Sequence, residues 1–217
     1  MACVAAALFV TGCGGDGRTS GAAADGKVLG QQDLERAVVT EKDLPGRTFD
    51  ALPGPVSADI TLVDPSSCQA VADAVGMSSP FPPKARVKQV ISSAEGDHGG
   101  SMMLASYPPD QAAAIIPALH TALDSCRAFT PAYGFAYEDV TQMQDPGLGN
   151  GSAAFHLLQV LSSKGKKPLK VPVTVTVVRA GATLLTFQST NTKDSDPAVF
   201  PQDAVDTQLA KLADATR

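Results

Sequence analysis

The sequence predicts an α+β fold, a mostly antiparallel β-sheet with helices packed on one face. Three observations carry this expectation. Val171, Val173, Val175 and Val177 alternate with other residues, the period of a strand with one buried face. That strand and its neighbours are joined by turns too short for a parallel crossover. Two segments show helical stripes instead, Ile115–Leu119–Leu123–Cys126 and Val205–Leu209–Leu212. With 217 residues, 44% of them hydrophobic, the chain is long enough for one sizeable core, and a single domain is the default.

The chain opens on a short apolar run, Val4 to Val10, followed by Val10-Thr11-Gly12-Cys13. This resembles the lipobox of bacterial lipoproteins: an aliphatic residue, a small one, Gly or Ala, then Cys. The resemblance implies cleavage before Cys13 and a diacylglyceryl group, with palmitate-like acyl chains, on its sulfur. Each buried CH₂ is worth about 0.8 kcal/mol, so two or three chains hold a protein at a membrane where one is marginal. Residues 1–12 are then a partial signal peptide. No Lys or Arg precedes the apolar run, so a basic segment is expected upstream of Met1. The run is too short to span a bilayer. Residues 13–30, rich in Gly, Ser and Ala, are expected to form a flexible tether, and 31–217 a single extracytoplasmic domain.

Within that domain, Gln31 to Val39 spaces Leu34, Val38 and Val39 as a short helix does, and Asp43-Leu44-Pro45-Gly46 ends it. Ala51 to Pro65 reads as irregular, with a short strand at Ile60–Val63. Ser66 and Ser67 are candidate N-caps of a helix through Val75, closed by Gly76. Val87, Gln89 and Ile91 mark a strand from Ala85. Gly96 to Gly100 turns it into a second strand, Ser101 to Tyr107. Pro108-Pro109-Asp110 opens a helix that Pro117 is expected either to kink or to start the main segment of. Four strands follow: Phe135–Met143, Ala153–Leu161, the valine strand and Thr183–Gln188. Ala153–Leu161 is apolar on both faces, as a central strand is. Asp145–Ser152 and Ala180-Gly181 are turns, Lys164–Lys167 is a hairpin tip, and Pro201 begins the last helix.

The chain has four cysteines. Cys3 falls in the signal segment and Cys13 in the lipobox, leaving Cys68 and Cys126. In an oxidising compartment these two pair, the alternative being two buried free thiols. Closing a loop of 58 residues stabilises by about 4 kcal/mol in the chain-entropy model. Neither sits in a Cys-x-x-Cys pair, which disfavours redox catalysis and zinc binding.

Several short features occur together: Asp43-Leu44-Pro45-Gly46 with Phe49; Pro65 and Cys68 opening a helix; Cys126 and Phe129 ending one; Asp145-Pro146-Gly147-Leu148-Gly149 before a strand; Arg179-Ala180-Gly181 between the last two strands. The ensemble, over about residues 30–216, resembles the extracellular sensor domains of PknH-type mycobacterial serine/threonine kinases and their stand-alone actinobacterial lipoprotein relatives. The resemblance implies an antiparallel sheet with packed helices and a cleft for an unknown ligand. This chain departs from it in having no kinase or transmembrane segment and one cysteine pair where the kinase domains have two. No ligand-contact residue transfers.

The chemistry-bearing residues are sparse. A net charge of −5 offers nucleic acid no basic field, and with no Trp and 5% aromatics, stacking platforms are few. His98, His120 and His156 have no partners at metal-ligand spacing, and each reads as structural, His156 being the most easily tuned. Gly149-Asn150-Gly151-Ser152 precedes a strand, so it reads as a turn rather than a phosphate loop. Lys164, Lys166, Lys167 and Lys170 form either a solvated tip or a contact for anionic headgroups. Asn191–Asp196 lacks the ligand spacing of a calcium loop. The expectation is a lipid-anchored protein on the outer face of the cell membrane, without cofactor, metal or catalytic residue. It would be a sensor-like module for a small ligand or envelope component, or else a carrier of a lipid or other apolar ligand at the cell envelope.

Overall fold

In the computed structural model the residues described are 26–52, 61–93, 99–191 and 198–217. The chain runs α1 (Gln31–Ala37), β1 (Arg47–Ala51), β2 (Val63–Asp64), α2 (Gln69–Val75), β3 (Ala85–Ser93), β4 (Gly99–Ser106), α3 (Pro109–Ser125), β5 (Thr130–Pro131), β6 (Ala136–Gln142), β7 (Ser152–Leu161), β8 (Leu169–Ala180), β9 (Thr183–Thr190) and α4 (Gln202–Ala215). Seven strands form one sheet in the order β1-β3-β4-β9-β8-β7-β6, and β2 pairs with β5 in a separate ribbon. Every pairing is antiparallel. The fold is α+β, as expected.

The sheet is assembled from two halves. Short turns join β7, β8 and β9 as neighbours, and β3 pairs with β4. The halves meet where β4 pairs with β9, Met103 opposite Thr186 and Leu104 opposite Leu185. Nothing local dictates that pairing, because the intervening chain holds α3 and three strands of the main sheet.

The helices occupy both faces, which corrects the expectation of one. Period two explains why. On β4 and just after it, Met103, Ala105 and Tyr107 enter a core under α2 and α3, while Met102 and Leu104 enter a second core under α1 and α4. On β9, Leu184 faces the first core and Leu185 and Phe187 the second. Strands apolar on both sides need cover on both sides. The result is three layers with the sheet in the middle. Ala153–Leu161, expected as a central strand, is β7, second from the edge, and on its second face His156 and Leu158 are half-buried.

The domain also starts earlier than Gln31. Leu29 is fully buried in the second core, and its N–H donates to Ser106 Oγ at 2.9 Å. At Gly26 a Cβ would sit 2.2 Å from the Ala182 nitrogen, so only glycine fits there. Residues 26–30 therefore belong to the fold and not to a tether.

Smaller differences have local causes. β1 and β5 carry too few apolar residues for periodicity to show them, and in β1 only Phe49 packs inward; of the strand expected at Ile60–Val63, Val63 pairs in β2, Val63–Asp64. Ser66–Cys68 is a 3₁₀ turn after Pro65, and neither serine side chain caps α2. Gly76 keeps a helix-like φ of −73°, and Met77 takes the left-handed conformation at φ 52° while its side chain is buried. Pro117 lies on the exposed side of α3, which continues through it.

α1 and α4 are cross-tied. Gln208, fully buried, accepts from Val39 N at 2.9 Å and donates to Ala37 O at 2.8 Å. Lys211 Nζ reaches Val38 O at 2.9 Å and Asp43 at 2.7 Å. The Asp43-Leu44-Pro45-Gly46 motif is thus an anchor for α4. Asp43 also accepts from the Thr40 N–H and hydroxyl. Burial works to raise its pKa, but the Lys211 and Thr40 hydrogen bonds hold it below the ordinary value.

Candidate functional site

The disulfide sets the geometry of the region around α2. Cys68 immediately precedes α2 and Cys126 immediately follows α3; they are bonded, with Cα atoms 5.1 Å apart. The bond ties the start of α2 to the segment that leads into β5. Across it, the β2–β5 ribbon pairs Val63 with Pro131 and Asp64 with Thr130, and Ala132 N donates to Leu62 O. Beyond the ribbon the chain bends at Gly134, with φ +102°, and enters β6. Phe129 bridges to Tyr137, and the two rings stack at 4.8 Å.

Two recesses flank α2. The inner one, about 110 Å³, lies between α2, α3, the 78–81 segment and the sheet, with Ala74, Phe81, Ile115 and Leu119 in its walls. The outer one, about 160 Å³, lies between α2 and the 129–137 segment, with Phe129, Tyr133, Phe135 and Tyr137 in its walls. Two of the three tyrosines of the protein are therefore here. Tyr133 is 86% exposed and Phe135 49%, with Leu62 nearby at 72%. Large apolar side chains left this open at a recess are informative in a way that a lone exposed leucine is not.

Asp73 lines both recesses and is only 4% exposed. Its Oδ1 accepts from Gln69 Nε2 at 2.8 Å, and the same Nε2 reaches Thr61 O at 3.0 Å. Thr61 is itself in the wall of the outer recess. Burial pushes the Asp73 carboxyl above its ordinary range, with the Gln69 hydrogen bond opposing. Burial also raises the phenols of Tyr137 and Tyr107. Asp73 is the residue that sequence reasoning missed. The available signal was an acid enclosed by apolar residues, Val71-Ala72-Asp73-Ala74-Val75, in a helix too short to spare a solvent face.

Other singled-out residues have structural employment. His120 Nε2 lies 3.0 Å from Ser152 O, and its Nδ1 3.4 Å from Gln142 Nε2. His156 sits half-buried on β7, opposite Thr174. Asp145 accepts from the Ser152 hydroxyl and from Gly147 N, which hold its carboxyl below the ordinary range. The Gly149-Asn150-Gly151 loop docks on the β8–β9 turn. Asn150 N donates to Arg179 O at 2.7 Å, and Asn150 Oδ1 accepts from Gly181 N at 2.7 Å. A Cβ at Gly149, where φ is +59°, would strike Arg179 O at 2.3 Å. The loop is a packing device, and the two motifs of the family resemblance that meet here are one joint. Lys170 pairs with Glu138 at 2.6 Å, away from the solvated Lys164, Lys166 and Lys167 tip. Cys13, His98, Ile60 and Thr192–Asp196 lie outside the described residues. Among the described residues no cluster of three His, Cys, Asp or Glu stands ready for a metal, and no helix is long and apolar enough to cross a membrane.

Fold and groove together define a disulfide-stapled, three-layer α+β domain with an aromatic-walled groove over a buried carboxylate. No protein-family model matches the chain, and no curated protein sequence matches it.

Proposed function

We propose that this chain is a membrane-tethered, extracytoplasmic, non-catalytic binding module, and that the groove beside α2 at Asp73 is its ligand site. The observation that carries the proposal is the meeting of four aromatic side chains and one buried carboxylate in a recess whose rim stands open. The Cys68–Cys126 bond supports an oxidising address. Val10-Thr11-Gly12-Cys13 supports the tether. Asp73 is paired with an amide rather than with a histidine or a nucleophile, which supports binding over catalysis.

Among the described residues, recess size favours a small ligand over a lipid cargo. The two recesses at α2, about 110 and 160 Å³, are below the roughly 300–1,000 Å³ of pockets that enclose a drug-sized molecule. A wider depression of about 440 Å³, at Asp64, Tyr137 and Val160, is shallow and open.

The tether is tested with Cys13→Ala in the native envelope. The wild-type protein is expected in the membrane fraction with an acylated Cys13 by mass spectrometry. The variant is expected in the medium, or retained with its signal segment uncleaved. A variant that fractionates and migrates as the wild type does ends the lipoprotein reading.

A further inference from the structure

We propose that the outer groove takes an organic cation of the alkylammonium class, with the charged head set against Asp73 and the aromatic walls. The inference rests on the reading of that groove as the ligand site and specifies what enters it.

Charge is the first argument. A carboxylate with 4% exposure is costly unless compensated. Its side-chain hydrogen-bond partner among the described residues is one neutral amide, that of Gln69. No Lys or Arg is among the described residues lining the groove. A ligand that brings a positive charge adds compensation from the groove side, whereas an anion meets repulsion and a neutral apolar group leaves the carboxylate as it was.

The walls give the second argument. A cation is attracted to the face of an aromatic ring, by about 0.5–1 kcal/mol at an exposed site and about 2 when desolvated. This chain has no Trp and 5% aromatics, yet Phe129, Tyr133, Phe135 and Tyr137 collect on this one groove. Packing alone does not account for Tyr133, which is 86% exposed. Size agrees as well: 160 Å³ admits a small head group, the space of about five waters at about 30 Å³ each. The net charge of −5 draws cations toward the molecule at long range.

The test uses the domain with its disulfide intact and two probes of one shape, choline and its neutral isostere 3,3-dimethylbutan-1-ol. Amide NMR shifts of Ala72, Gly76, Tyr133 and Gly134 are followed during titration at matched ionic strength. The expected result is saturable shifts at these residues with choline, and about tenfold weaker binding of the alcohol. Asp73→Asn is expected to erase the difference between the probes, with amide spectra away from the groove unchanged as a check on folding. Tyr133→Ala, at an exposed position, is expected to weaken choline severalfold without affecting the fold. Equal binding of the two probes by the wild-type protein overturns the cation assignment and leaves the groove standing as an apolar ligand site. Absence of any groove shift with either probe overturns both the assignment and the groove as the ligand site.

Discussion

Asp73 concentrates the conflict between burial and charge. Its pKa in the folded protein lies above the ordinary 3.8, desolvation being the cause. The folded state therefore holds this proton more tightly than the unfolded chain does. The associated stability is fully present below the unfolded value and is lost as pH rises through the folded one. Asp73→Asn has no such proton to lose. We expect the stability of the variant relative to wild type to increase across that window and to level off above it, read as urea midpoints over a pH series. Tyr107 also couples to Asp73, but its phenol is shifted upward, away from the window, with burial the largest cause. Asp43 and Asp145, both shifted downward, contribute in the opposite sense, losing stability as pH falls through their folded values; they are common to both proteins and cancel in the difference. A pH-independent difference would refute the raised pKa. The apolar residues on either side of Asp73 were the one local sign of its burial, while the partner that covers it, a helix distant in sequence, was not legible.

Among the elements, α2 and α3 depend most on a link that spans the sequence. α2 has seven residues, too few to be stable alone, and no side-chain N-cap. What holds it is burial of Val71, Ala74 and Val75 in the core it shares with α3, together with the disulfide just before its first residue. Reduction removes the constraint on a 58-residue loop, and the domain is expected to lose about 4 kcal/mol, seen as a lower urea midpoint with reductant present. An unchanged midpoint rejects that estimate. Because the bond also fixes the distance between the two walls of the groove, amides of 129–137 are the ones expected to broaden first on reduction. The cysteine pairing was legible by elimination in the sequence, since only two cysteines fall within the domain. The groove was not, because β2 and β5 have two residues each and exist only through each other.

At the scale of the molecule, two cores share one sheet, and Leu29 shows how far the second core extends. A leucine in a Gly/Ala-rich segment looks like part of a tether, but this one is fully buried beside α1 and α4. Leu29→Ala is expected to cost about 3 kcal/mol, the usual range for a buried leucine being about 2–5. Val28→Ala next to it, at a position 41% exposed, is expected to change stability by less than about 1 kcal/mol. Thermal melts of the two variants check this. Equal shifts would put the edge of the domain at Gln31 after all.

The identity of most elements follows from local pattern. The valine alternation of β8, the stripe of α3 and the breakers at Asp43–Gly46 and Asp145–Gly151 each act over a few residues, and backbone sterics with side-chain periodicity suffice to read them. The pairing of β4 with β9, the division of helices between two faces and the approach of α2 to the 129–137 segment are contacts between residues far apart in the chain. They are decided by which apolar faces find cover and by which closures bury the most surface for the chain entropy they cost. Met102 and Met103 make the point: the sequence shows two adjacent apolar residues on a strand, and only the assembled sheet sends one to each core.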